Sequence, residues 1–337
     1  MKVKELGEFG LIEQLAKIAY RARSKETAAA RQLIIGIGDD AAVWHGDAKV
    51  ELATTDSFIQ DVHFTLAMTH WNELGWKTLA AGLSDIAAMG GVPKYALVSL
   101  ALPGDTLVED VTDLYRGMME LGQQFDVTIV GGDTSSSPLV IINTTVLGST
   151  KGQNLHILTR SAARPGDKVA VTGYLGTAAA GLEMFRKHLI FDPEASACFR
   201  EAFLQPEPRI AEGQLLVEQG VKTAIDISDG LVSDLSHILK ASQLSARIEV
   251  ERVPVHPAVK ANFGDKAVEM ALSGGEDYEL LFTANAEVVA KVSEKASLPV
   301  TVIGDIIADK TGEITLIDKD EKPYRLKKTG WEHFGPR

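Results

Sequence analysis

Cysteine is all but missing from the chain: Cys198, in EASACFREAF, is the one copy and reads most simply as a helix residue. An internal disulfide and a cysteine-based metal site are therefore excluded, and a reducing compartment is implied. Long apolar runs are missing too, so nothing in the sequence is suited to spanning a bilayer. The opening MKVKELGEFGLIEQLAKIAY lacks the apolar centre and small-residue cleavage site of a signal peptide. Basic residues are in deficit. A net charge of -12 argues against nucleic acid as a partner, because its phosphates demand clustered Lys and Arg. An acidic chain still binds phosphates when divalent cations bridge the two. There is no repeat of fixed period, no low-complexity segment and no G-x-x-x-x-G-K-[ST] phosphate loop. What remains is ordinary globular composition, 45% hydrophobic over 337 residues, enough for two domains with cores of their own in a cytoplasmic protein.

Hydrophobic spacing predicts a helix over residues 9–22, a polar loop or helix end over 23–32, and strands over 33–37, 49–55, 94–102, 127–131 and 139–149. Helical patterns fill 71–89 and 107–124. The first of these, WNELGWKTLAAGLSDIAAM, is rich in small residues, which suggests close packing on a sheet. At 150–168 the chain turns polar, with Pro165-Gly166-Asp167 as a turn, and this sets the expected boundary between domains 1–150 and 151–337. Beyond it lie strand signals at 168–173, 222–227, 246–251, 279–284 and 299–304, and helices at 177–188, 229–242 and 286–296. Alternating strands and helices define an α/β class of two domains. The succession is not a clean βαβ series, so mixed sheets are expected rather than doubly wound parallel ones.

Residues 36–41, GIGDDA, follow the apolar run Leu33-Ile34-Ile35 and fit the G-x-G-x-x-G/A dinucleotide fingerprint, with Asp56 about 20 residues on, where a ribose-binding acid belongs. That fingerprint works because a helix starts inside the loop and aims its N–H groups at a pyrophosphate. Here AVWHGDAKVEL meets a His45-Gly46-Asp47 turn within about one helical turn and continues as strand, leaving little room for the helix. Asp39 and Asp40 would also repel a pyrophosphate. The dinucleotide reading fails, and the acids suit a hard cation instead, since Mg²⁺ is held by one or two carboxylates together with substrate phosphates.

Taken alone, that pair reads equally as a polar turn, but other acids repeat the arrangement. Asp56 follows two threonines in ELATTDSFIQDVHF, at an expected strand end. Asp85 lies among small residues in LSDIAAMGG. Asp133 stands where an apolar strand runs into a double glycine, in IVGGDTSSS, and Asp226 and Asp229 close a strand in AIDISDGLVSDL. Each alone reads as a cap or turn former. Together they place acids beside Gly, Ser or Thr where α/β proteins bind ligands, and the glycines would let backbone approach a phosphate. A shared polyphosphate–metal site is the reading. In LSGGEDYELLF, Gly274-Gly275 precedes Glu276 and Asp277 just before a strand, which serves either a site or a solvated turn.

The ordered set GIGDDAA, TTDSFIQDVHF, GWKTLAAGLSDIAAMGGVP, VGGDTSSS, LTRSAARPGD, DISDGLVSDLSHI and SGGEDYELLF, with GWEHFG at 330–335, resembles the thiamine-monophosphate kinase family. The resemblance covers most of the chain from residue 36 onward. It implies ATP-dependent phosphorylation of thiamine monophosphate to thiamine diphosphate, the last step of thiamine diphosphate synthesis. The implied fold is that of the aminoimidazole ribonucleotide synthetase superfamily, two α/β domains with the N-terminal one forming a homodimer. Asp40, Asp56, Asp85, Asp133 and Asp226 match its Mg²⁺ ligands, and Asp229 matches the ligand of a further ion. Thr54 and Thr55 match residues that ligate through a hydroxyl or backbone oxygen. Gly132, Arg160 and Ser228 match nucleotide contacts, Tyr115 a residue near ATP, and His63, Glu276 and Trp331 the positions that hold thiamine monophosphate. In SFIQDVHF, Gln60 and Asp61 stand where the family more often has Glu and Gly.

The residue types suit those roles: Trp331 can stack on thiazolium or pyrimidine, Glu276 can hydrogen-bond an aminopyrimidine, and Arg160 can fork onto phosphates. A phosphate-monoester acceptor has a second pKa of about 6, so no general base is expected, and in-line transfer without a phosphoenzyme follows. Superfamily rivals fit less well. Selenophosphate synthetase needs a Cys or selenocysteine near a glycine-rich N-terminus, and aminoimidazole ribonucleotide synthetase would not carry GGEDYELLF with Trp331. The hydrogenase-maturation dehydratase shares only the superfamily. A non-catalytic metal-binding module leaves Arg160 and Trp331 without a role.

Overall fold

The computed structural model describes residues 1–6, 11, 14, 15, 17–19, 33–35, 43, 44, 46, 50–151, 156–309 and 311–331. The chain forms two compact units, Met1–Ile86 with Val92–Leu155, and Ala87–Gly91 with His156–Arg337. In the first, β1 (Leu33–Ile35) and β2 (Val43–Trp44) make an antiparallel pair. Strand, not helix, therefore follows the GIGDDA segment, as the failure of the dinucleotide reading requires; residues 36–42, and Asp40 with them, lie outside the described residues.

The main sheet of this unit comprises β3 (Glu51–Ile59), β4 (Val92–Leu102), β5 (Thr128–Ser136) and β6 (Ile141–Ser149) in the order β3-β6-β4-β5. Only β4 and β5 run parallel, joined by the Val108–Gln124 helix. Side chains alternate along β3: Thr54, Asp56 and Phe58 are covered to different degrees, whereas Glu51, Ala53, Thr55 and Ser57 are exposed. The helices Trp71–Ala88 and Val108–Gln124 meet at glycines on both sides. A Cβ on Gly75 would come within 1.8 Å of the Leu114 carbonyl oxygen, and one on Gly117 within 1.8 Å of that of Asn72. The small residues expected to press this helix on a sheet thus serve a helix–helix crossing as well, while Gly82 faces Val146 of the sheet.

The second unit holds β7 (Lys168–Thr172), β8 (Thr223–Asp226), β9 (Ser245–Glu249), β10 (Leu280–Ala284), β11 (Val300–Ile307) and β12 (Ile314–Ile317), ordered β12-β9-β11-β7-β10-β8. Only β12 and β9 are parallel, so both large sheets are mixed, as expected. Val171, Ile225, Leu235, Ile238, Leu281 and Ile303 build its apolar core. One buried ion pair crosses that core's edge. The Arg209 guanidinium forks onto Glu279, Nε to Oε2 at 3.0 Å and Nη2 to Oε1 at 2.7 Å, and the Thr172 hydroxyl donates to the same carboxylate at 2.6 Å.

Two strands differ from the sequence expectation in a way that matters. β3 runs through Asp56 to Ile59 and β5 through Asp133 to Ser136, so both acids lie inside strands rather than at their ends. Strand pairing overrides the punctuation an acid suggests: Ser57, Phe58 and Ile59 complete a continuous ladder with Asn143, Ile142 and Ile141. Asp226 does end its strand. The helices Pro193–Leu204, which carries Cys198, Ile210–Glu218, Pro257–Phe263 and Lys266–Ser273 complete the second unit.

Gly75→Ala separates crowding from propensity. In an open helix the change stabilises by about 1 kcal/mol, whereas overpacking costs about 1–3 kcal/mol. Thermal unfolding is expected to show a Tm lowered by several degrees; a raised Tm would mean the two helices do not touch at this point.

Candidate functional site

The first unit gathers acids on the helix-facing side of β3. Asp85, from the Trp71–Ala88 helix, accepts a hydrogen bond from the Thr54 hydroxyl. Asp56 Oδ2 is buried and has no hydrogen-bond partner among the described residues. Burial, and next the charge of Asp85, push the Asp56 carboxyl up to about 6. Gly82 leaves the space: a Cβ there would stand 3.8 Å from that oxygen and only 2.7 Å from Val146 Cγ2. A desolvated, unpartnered carboxylate oxygen beside a second carboxylate is a set of hard oxygen donors, and it fits a divalent cation. Among the described residues no three His, Cys, Asp or Glu side chains converge on one point.

Other predicted residues of this unit are placed differently. Thr55 projects from the opposite side of β3, where its hydroxyl meets Asn143 Oδ1 and Thr145 Oγ1, each at 3.0 Å. The hydroxyl route to a shared ion with Asp56 and Asp85 is closed to it by strand alternation, leaving its backbone oxygen. Asp133, exposed, sits opposite Ser99 in the ladder, and that register puts it on the Thr55 side of the sheet. Gly132 lies so close to β4 that a Cβ would meet the Val98 carbonyl oxygen at 1.8 Å. Tyr115 is 5% exposed within the Val108–Gln124 helix, and burial pushes its phenol up. That placement packs the ring within the first unit.

His63 accepts the Ile59 N–H on Nδ1 at 3.0 Å, with its ring centroid 5.9 Å from that of Phe58. A neutral ring so held carries its proton on Nε2. The Gln60-Asp61 departure has a conformational answer: Asp61 adopts φ 64°, the left-handed region that glycine takes freely and Asp tolerates. Gln60 binds the Val140 N–H through Oε1 at 3.2 Å.

In the second unit a single turn, Ile227–Gly230, collects most of the predicted residues. Glu276 N–H donates to the Ser228 carbonyl at 2.8 Å, Tyr278 N–H to that of Ile227 at 2.9 Å, and Trp331 N–H to that of Asp229 at 3.0 Å. Glycines make those approaches possible: a Cβ on Gly275 would meet the Ser228 oxygen at 2.4 Å, and one on Gly330 the Asp229 oxygen at 2.7 Å. Glu276 and Tyr278 both hold positive φ, 68° and 50°, a strained pair around Asp277. The Asp277 carboxylate accepts N–H bonds from Gly176 and Ala178 at the start of the Thr177–Lys187 helix. Trp331 is 42% exposed, with Lys328 Nζ 5.5 Å from its ring centroid. Arg160 is exposed, anchored through its carbonyl by the Ser242 hydroxyl at 2.9 Å.

Sequence reasoning missed Asp234. It is 1% exposed, and its Oδ2 accepts the N–H groups of Ser228, Asp229 and Gly230, each at 3.1 Å. Burial, then the charges of Asp226 and Asp229, push its carboxyl up to about 8. The signal was present in DISDGLVSDL, an acid one helical turn past a glycine cap.

Two mixed-sheet α/β units with acids on strands and strand ends define the class. Residues 38–150 match the N-terminal domain, and residues 164–317 the C-terminal domain, of the AIR synthase related proteins. The thiamine-monophosphate kinase of Bacillus subtilis (strain 168) is 37% identical over 89% of this chain and 93% of its own. The crystal structure of thiamine-monophosphate kinase from Stenotrophomonas maltophilia K279a is 32% identical, with a TM-score of 0.79 over 92% of this chain and 96% of that one. AaThiL complexed with AMPPCP and TMP is 33% identical, with a TM-score of 0.76 over 99% of both chains. The chain belongs to the thiamine-monophosphate kinase family.

Asp56 gives a pH test. Its folded pKa of about 6 lies above the ordinary 3.8, so its contribution to stability is full below 3.8 and is lost as pH rises through 6. In chelator, Asp56→Asn is expected to exceed the native chain by about 3 kcal/mol at pH 7.5, and the gap closes near pH 4. Denaturant titration at the two pH values checks this; an equal gap at both would remove the buried charge as its cause.

Proposed function

We propose that the chain transfers the γ-phosphoryl group of ATP to thiamine monophosphate, giving thiamine diphosphate and ADP. The observation that carries this reading is kinship over nearly the whole length with thiamine-monophosphate kinases, one of them bound to AMPPCP and TMP. The Mg²⁺ ligands in this reading are Asp40, Thr54, the Thr55 backbone oxygen, Asp56, Asp85 and Asp226, with Asp229 on a further ion. Asp133, whose side chain lies on the Thr55 side of the sheet, serves an ion other than the one shared by Asp56 and Asp85. Bound Mg²⁺ supplies charge neutralisation between two polyanions. The unpartnered Asp56 oxygen is the chain's own support for it.

The remaining work falls to positioning. Arg160, exposed and on a turn, pairs with ATP phosphates in a fork, and Gly132 and Ser228 are further nucleotide contacts. Glu276 takes the aminopyrimidine, His63 the thiamine monophosphate through a ring fixed at Nδ1, and Trp331 offers a half-open face already attractive to a cation. The acceptor phosphate is largely ionised at neutral pH, so no side chain needs to remove a proton. Transfer is direct and in line, with no phosphoenzyme. Dependence on ATP goes with the cytoplasm.

A homodimer is part of the reading. The side of the first unit's main sheet away from its two helices carries Leu97, Asn143, Thr145 and Leu147, all partly exposed, with Tyr95 and Val130 in a small apolar cluster. A second copy suits such a self-complementary face. Leu97→Asp is expected to convert a dimer to a monomer in light scattering; an unchanged mass would move the interface elsewhere.

The defining experiment is coupled ADP release with Mg-ATP, comparing thiamine monophosphate, thiamine and aminoimidazole-pathway substrates. Turnover is expected with thiamine monophosphate alone, and a loss of 100-fold or more in Asp56→Asn, on the order of one removed metal ligand. ADP release with another substrate and none with thiamine monophosphate would overturn the assignment.

A further inference from the structure

The Ile227–Gly230 turn presents its carbonyls outward and its amides inward. The Ser228 and Asp229 carbonyls hold the backbones of Glu276 and Trp331, at 2.8 and 3.0 Å. The Ser228, Asp229 and Gly230 amides all point back to one oxygen of Asp234, three donors at 3.1 Å each. Asp234 stands on the first turn of the Leu231–Ser242 helix, anchored by its own N–H to the Gly230 carbonyl at 2.9 Å. Its carboxylate is enclosed by the helix it belongs to and by the turn it draws in, so no ligand reaches it.

We infer that Asp234 is a positioning residue that holds the nucleotide-contacting and substrate-contacting residues in one register. Three successive amides fixed by a single acceptor set the peptide planes of the turn, and those planes set the direction of the carbonyls that carry Glu276 and Trp331. A displaced turn therefore moves Ser228 and Asp229 together with both substrate-contacting residues. The two ligands lose affinity together, although Asp234 touches neither. The inference rests on the proposed allocation of Ser228 and Asp229 to nucleotide and metal, and of Glu276 and Trp331 to thiamine monophosphate.

The test compares Asp234→Asn, which keeps an oxygen acceptor, with Asp234→Ala, which does not, in the full chain with Mg-ATP and thiamine monophosphate. Asp234→Ala is expected to raise both KM values by similar factors of about tenfold, with kcat falling less, while Asp234→Asn stays within about threefold of the native chain. Should the alanine variant fail to fold, amide exchange replaces it. The Ser228–Gly230 amides are then expected to exchange at least tenfold faster in Asp234→Leu, an apolar residue of similar volume with no acceptor, than in the native chain, and unchanged exchange overturns the inference. So does a rise in only one KM, or a fall in kcat with both KM values unmoved. The underlying allocation fails separately if Trp331→Ala leaves the thiamine monophosphate KM unchanged. If Trp331→Ala raises that KM and Asp234→Ala raises neither, the allocation stands and the inference falls.

Discussion

Negative charge held beside negative charge out of water is the constraint on which this structure turns. In the first unit Asp56 and Asp85 face each other across a helix–sheet contact, and in the second Asp226, Asp229 and Asp234 crowd one strand end and the helix after it. A carboxylate in such a place is raised toward neutrality by burial, and each neighbour raises it further. Folding alone gains nothing from the arrangement; an apolar residue at position 56 would pack against Val146 at no electrostatic cost. The scaffold must therefore be stiff enough to keep these groups together until something cationic relieves them. The glycine-to-backbone contacts between the Trp71–Ala88 and Val108–Gln124 helices, and the forked Arg209–Glu279 pair beside β10, provide that stiffness.

The second unit uses its acids for two different ends. Asp234 is saturated with donors and faces inward, and Asp277 caps a helix through two amides; neither is aimed at solvent. Ser228, Asp229 and Glu276 lie on the other side of the same backbone, partly open. The buried acids that accept several N–H groups thus serve as anchors of the backbone. The same count sets Asp56 apart in the first unit, since an oxygen with no donor at all has capacity left for a cation.

Much of this was legible in the sequence. Strand-forming runs such as 168–173 and 279–284 were apolar and sharply bounded, and β7 and β10 appear there within a residue or so. Asp56, Asp133 and Asp229 stood out because each came beside threonine or glycine, and the order of motifs identified the family. What periodicity could not give was the face of each strand. Thr54, Thr55 and Asp56 are consecutive, so Thr55 must look the opposite way from its neighbours, a consequence of β3 running on to Ile59 rather than stopping at the acid. A motif match likewise carries no information on whether a helix residue such as Tyr115 faces the core, where this side chain lies.

Asp61 marks the limit from another direction. Its backbone occupies the left-handed conformation that glycine takes freely. The chain tolerates Asp there because a short polar side chain can sit at positive φ at modest strain, and because the Asp61 N–H is satisfied by the Phe64 carbonyl at 2.8 Å. Position 276 obeys the same rule with a different purpose. Glu276 is longer, and is held there by the Ser228 carbonyl, which accepts its N–H, and by the anchoring of the next residue, whose carboxylate accepts the Gly176 and Ala178 N–H groups. Strain kept in place by surrounding bonds at one residue, and strain accommodated by residue choice at the other, are the two ways this backbone fixes side chains that it has to present outward.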